Sequence, residues 1–112
     1  MTPRQEGVLT QLRKGVLEYC VLACLQGQPA YGLELASRLT ESHLLGGEGT
    51  LYPLLSRLRR RGWVETTWQE STSGPPRRYY RLTSDGAAAL GAFIVTWRPF
   101  THDVNAILEA VE

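Results

Sequence analysis

The sequence predicts an α+β chain that is mostly α: three short helices, one β-hairpin and a long closing helix. Three observations predict it. Apolar residues recur at three- and four-residue spacing in separate stretches ahead of Gly62. Two short segments rich in aromatic and β-branched residues follow, "WVETTWQE" and "RRYYRLT", joined by "STSGPP". Heptad-spaced apolar residues then run from Leu90 to the end of the chain.

The first helix is expected over residues 8–26, where Val16, Leu17, Cys20, Val21, Cys24 and Leu25 form one buried stripe. Gly27 and Pro29 end it. A second helix over residues 31–42 turns Leu35, Ala36 and Leu39 inward, and "HLLGG" connects it to a third. That third helix, residues 48–61, has Leu51, Leu54, Leu55 and Leu58 at i, i+3, i+4 and i+7. Pro53 fits in its first turn, where a missing N–H costs little, and Gly62 stops it. "STSGPP" has the composition of a turn, so the hairpin is expected to tip there, with Arg77 and Arg78 just beyond the tip.

"LTSDG" opens the last helix, with Thr83 or Ser84 as N-cap. Two apolar lines run along it: Leu90, Ile94, Trp97, Thr101, Val104, Leu108, Val111, and Phe93, Trp97, Phe100, Val104, Ile107, Val111. So broad an apolar face at a chain end wants a partner, and a homodimer is expected. Pro99 removes the hydrogen bond to the Val95 carbonyl, so a kink or break is expected there. The order of elements describes a winged helix-turn-helix over residues 8–82 and a dimerisation helix over residues 83–112.

Composition narrows the function. The 112 residues suit one domain with a small core, and 43% hydrophobic against 21% charged content predicts folding. Net charge is +1, but its distribution is uneven. From Arg57 to Arg81 seven arginines stand against Glu65 and Glu70, a net +5; from Thr83 to Glu112 Arg98 stands against four acids, a net −3. A basic middle and an acidic tail fit a surface that docks onto an anion. Cys20 and Cys24 read as small buried apolar residues, and isolated His43 and His102 complete no metal site. No nucleophile sits beside a base, and Gly46, Gly47 and Gly49 do not follow a strand, so neither an enzyme nor a cofactor is expected. No apolar run suffices for a membrane span, and no signal peptide opens the chain, so a cytoplasmic location is expected.

Three stretches together, "LRKGVLEYCVLACLQGQPAYGLEL", "GTLYPLLSRLRRRGWV" and "GPPRRYYRLTSDG", resemble the PadR family of bacterial transcriptional regulators over Leu12 to Gly86. The length suits the family's small branch, in which one C-terminal helix makes the dimer. The resemblance implies a repressor that binds a double-stranded DNA operator, and in some members an aromatic compound or drug releases it. The family's third helix usually ends in acidic or lysine residues; here it ends in Arg59-Arg60-Arg61.

A recognition helix offers its N-terminal outward residues to base edges in the major groove. Here those are Glu48, Thr50, Tyr52, Ser56 and Arg57, with Tyr52 matching the family's DNA-facing tyrosine. The plainer reading of Tyr52 is a ring packed on the helix below, and of Arg57 a solvated face. Lys14, at the start of the first helix, and Tyr31, at the start of the second, are candidate backbone contacts, Tyr31 through its hydroxyl and the helix N-terminus. Arg77 and Arg78 alternate in facing, so one is expected on DNA and the other packed or paired. Tyr79 and Tyr80 alternate likewise, and one is expected in the core. In drug-sensing members of the small branch a tryptophan on the dimer helix stacks on planar ligands between subunits. By that resemblance Trp97, with Leu90, Ile94 and Thr101, would line such a site; the alternative is a large residue in the dimer core. The competing functional class is a winged helix that docks proteins and does not bind DNA selectively.

Overall fold

The structure is a computed structural model that describes residues 1–46 and 48–111, with the side chain of Glu48 outside the described set. Among the described residues the order is α1 (Pro3–Cys24), β1 (Ala30–Tyr31), α2 (Gly32–Glu41), a 3-10 turn (Glu48–Thr50), α3 (Leu51–Arg60), β2 (Val64–Ser71), β3 (Gly74–Leu82) and α4 (Ser84–Glu109). The expected fold class is what forms: a mostly helical winged helix with a long closing helix.

α1 starts upstream of the expected residue 8. Thr2 accepts from the Gln5 N–H while the Gln5 side chain accepts from the Thr2 N–H, a capping box that, with Pro3 in the first turn, fixes the start. The helix therefore stretches beyond the core, which it enters at Val21, Leu22 and Leu25. These pack with Leu35, Ala36 and Leu39 of α2 and the four leucines of α3, Leu51, Leu54, Leu55 and Leu58.

α2 and α3 end alike. At each end one N–H reaches back five residues, Leu44 to the Leu39 carbonyl at 2.9 Å and Trp63 to the Leu58 carbonyl at 3.0 Å. This closure needs a left-handed residue in between. It is Gly62 (φ 80°) after α3 and, less usually, His43 (φ 61°) after α2.

The sheet runs β1-β3-β2, all antiparallel. β1 escapes a sequence reading because it has two residues, Ala30 and Tyr31, opposite Tyr80 and Tyr79. The hairpin tip is tighter than the expected "STSGPP". β3 begins at Gly74, Ser71 faces Gly74, and Pro75 and Pro76 lie within the strand. The prolines sit on a stretch that β1 does not reach, so their missing N–H groups remove no bond to it.

Thr83 caps α4, accepting from the Gly86 N–H at 3.0 Å and donating its hydroxyl to the Gly62 carbonyl at 2.6 Å. α4 then runs as one helix through Pro99, so of the expected kink or break the break does not occur. The turns on either side of the one missing bond keep the helix continuous. Beyond Leu90 the helix leaves the core, and an aromatic series runs along it: Tyr19 of α1 stacks on Phe93 (4.4 Å), Phe93 on Trp97 (5.4 Å), and Trp97 approaches Phe100 (6.3 Å).

Candidate nucleic-acid interface

Two basic surfaces flank α3. The first is a groove of about 450 Å³ between the start of α2, the start of α3 and the sheet, lined by Tyr31, Gly32, Leu33, Tyr52, Trp68, Arg77, Arg78 and Tyr80. Tyr52 reaches it because position 32 is glycine: a Cβ there would lie 2.9 Å from the Tyr52 ring. The ring is half exposed, so it lies on α2 and faces the groove at once. Tyr52 is thus packed against α2 and open to the groove.

The two arginines of β3 border this groove and do not stand at the hairpin tip. The Arg77 guanidinium lies 4.4 Å above the Tyr31 ring, and that of Arg78 5.0 Å above Trp68. Arg77 is exposed; Arg78 is half-buried, and its Nε has no hydrogen-bond partner among the described residues. Tyr80 is the core member of its pair, and Tyr79 meets Tyr31 edge-on at 5.4 Å. Trp68 escaped the sequence reading, because only the strand register sets it opposite Arg78. Tyr31 is half-buried at the start of α2, where the Glu34 carboxylate already accepts its N–H at 3.1 Å. The Glu34 carboxylate thus satisfies the N-cap N–H, and Tyr31 and Arg77 both line the groove.

The second surface lies between α1 and α3. Arg57 is five residues from Tyr52, about 140° around the helix. It does not share Tyr52's side as expected; it turns toward α1, 4.0 Å from Glu18, which pairs more closely with Arg61. Arg61 also lies over Trp63 at 5.1 Å. Lys14, mid-helix because α1 starts at Pro3, lines the same cleft with Thr50 and Arg57. Ser56 is exposed between the two surfaces, beside Arg59 and Arg60. Glu48 lies outside the described side chains.

The residues expected at a dimer and ligand face divide. Leu90 is buried in the core, 3% exposed, because α4 still packs on the winged helix there; it belongs to neither face. Phe93 is covered in part by Tyr19. Trp97 is 40% exposed, and Ile94, Phe100, Val104, Ile107, Leu108 and Val111 are exposed, with Thr101 half-buried. Val8 and Leu12 of α1 are also exposed. Among the described residues no cluster of His, Cys, Asp or Glu could hold a metal, and no helix is long and apolar enough to cross a membrane. Burial raises the Cys20 thiol, helped by Cys24, and raises Cys24 against an opposing pull from Arg38, so neither is an activated nucleophile.

Residues 21–92 match the family model described as the transcriptional regulator PadR-like family. A PadR-like transcription factor from Bacteroides fragilis is 44% identical, with 90% of this chain and 98% of that one covered and a TM-score of 0.74. A PadR family transcriptional regulator from Eggerthella lenta is 34% identical, with coverage of 93% and 91% and a TM-score of 0.82. A PadR-like transcriptional regulator from Bacillus cereus is 36% identical, with coverage of 88% and 96% and a TM-score of 0.79.

Proposed function

The chain belongs to the PadR-like family of transcriptional regulators, and on that premise we propose that it is a dimeric repressor that reads a DNA operator with α3 and releases it when a small planar aromatic effector binds. As a member of that family it is a DNA-binding regulator and not an enzyme. The observation that carries the reading is the convergence of Tyr31, Tyr52, Arg77 and Arg78, from three elements, on one basic aromatic groove beside the start of α3.

Thr50, Tyr52 and Ser56, with Glu48, meet base edges in the major groove. Arg77 and Arg78 meet phosphates on the sheet side, Tyr31 adds its hydroxyl, and Lys14 and Arg57 meet phosphates on the α1 side. Stacking on Tyr31 and Trp68 restricts the two β3 guanidiniums before DNA arrives, which lowers the entropy lost on binding. The apolar face of α4, with Val8 and Leu12 of α1, is the self-association surface. Two copies then present two α3 helices to half-sites about one helical turn of DNA, or a multiple of it, apart. The effector stacks on Trp97 and its symmetry mate, against Ile94 and Thr101.

Fluorescence anisotropy on the DNA upstream of the protein's own gene, against scrambled DNA across a salt series, tests this. The expected result is selective binding that saturates at two chains per site and weakens steeply with salt. Tyr52→Ala should lose about 1–3 kcal/mol on the operator. Arg77→Ala should weaken both DNAs alike and lower the salt slope by about 1. Equal binding to both DNAs, and to pools selected from random sequence, would overturn sequence reading. No binding at low salt would favour a protein-docking winged helix instead.

A further inference from the structure

The cleft between α1 and α3 has a shape and chemistry that phosphate contact leaves unexplained. It encloses about 690 Å³. Leu17, Leu44, Leu54 and Pro53 make its apolar wall, and Arg13, Lys14 and Arg57 surround it with positive charge. No carboxylate is among its described lining residues. Glu18 lies nearby but pairs closely with Arg61 and only at 4.0 Å with Arg57, and among the described residues no ion pair engages Arg13 or Lys14. Arg13 donates through Nη2 to the His43 carbonyl at 2.8 Å, while its Nε is buried with no hydrogen-bond partner among the described residues. A DNA backbone has no use for an apolar wall, whereas an apolar pocket with a few convergent polar groups suits a small molecule.

We propose that this cleft is a binding site for a small organic anion, a carboxylate with an apolar body, whose occupancy weakens operator binding. The apolar body lies on Leu17, Leu44 and Leu54, and the carboxylate accepts hydrogen bonds from Arg13, Lys14 and Arg57. The site is separate from the face around Trp97. It opens on the side of α1 that carries Thr10, Arg13, Lys14 and Leu17, whereas Val8 and Leu12 share the helical face of Tyr19, which stacks on Phe93 of α4. Weakening follows in two ways. The anion neutralises Lys14 and Arg57, which, on the DNA reading above, would otherwise meet phosphate. It also engages Arg13, which holds the left-handed His43 at the start of the connection into α3.

Octanoate is the probe, with octylammonium as the cation of equal chain length and acetate to match ionic strength. Amide chemical-shift mapping of the full chain should show saturable shifts at Leu44, Thr50 and Leu54 with octanoate only. Trp97→Ala should keep them. Two substitutions outside the DNA-binding set should remove them while circular dichroism is unchanged. Thr10→Trp fills the mouth. Gly46→Glu places a carboxylate inside the cleft, since a Cβ at position 46 already lies 3.4 Å from Arg13 Nη1. Saturating octanoate should raise the Kd for operator DNA about tenfold, and should not do so in Gly46→Glu. Shifts centred on Trp97, equal shifts with octylammonium, or no shifts would overturn the site. Octanoate bound in the cleft with an unmoved DNA titration would overturn its regulatory role. The shift mapping uses no DNA, so it stands or falls independently of the operator reading.

Discussion

Gly86 decides whether the two halves of the chain can close on each other. A Cβ at this position would lie 2.0 Å from the Trp63 carbonyl oxygen, and that oxygen already accepts the Thr83 N–H at 3.1 Å. Neither backbone can give way without opening the junction of α3, β2 and α4. Gly86→Ala should therefore lower stability by about 3 kcal/mol, read as a drop in the urea midpoint at unchanged slope. A glycine inside "TSDGAAAL" looks like a mild helix weakener, and only tertiary contact shows otherwise. His43 makes the same point from the opposite side. Gly62 announced its helix end in sequence, whereas the same closure built on a histidine did not.

At the scale of elements, the leucine register of α3, the N-cap of α4 and the hairpin were legible, because each follows from a local period or a capping residue. What was not legible depended on pairing. β1 is too short to have a period, and Trp68 joins Arg78 only through the strand register. Arg57 and Tyr52 both read as outward on a helical wheel, yet α1 and α2 claim different sides of α3 and divide them. Leu90 sits in the same heptad line as Trp97 but lies where α4 still covers the core. Pro99 was expected to interrupt a helix that in fact carries on to Glu109. The missing bond still costs free energy, so Pro99→Ala should stabilise the protein by up to about 3 kcal/mol. Thermal unfolding at fixed protein concentration reads this, since a change in self-association would make the midpoint concentration-dependent.

Over the whole molecule, the arginines and the largest run of exposed apolar residues occupy different places. The arginines gather around α3 and β3, with exposed Leu33, Tyr52 and Trp68 among them, whereas most other exposed large apolar residues lie on the last two-thirds of α4 and the outer part of α1. If that apolar surface joins two copies, a charge placed in its middle must separate them. Trp97→Glu should raise the dimer dissociation constant at least about a hundredfold, measured by sedimentation, and operator affinity should fall with it because one half-site is then lost. The three tryptophans fall across this same division. Trp68 lies under an arginine at the groove, Trp97 lies on the apolar face, and Trp63 lies between them, 6.0 Å from Tyr19 and beneath Arg61. Each district of the protein thus holds its own fluorophore. With two of the three replaced by phenylalanine, the emission of the one that remains reports a single event: nucleic acid arriving, subunits parting, or the junction between them loosening.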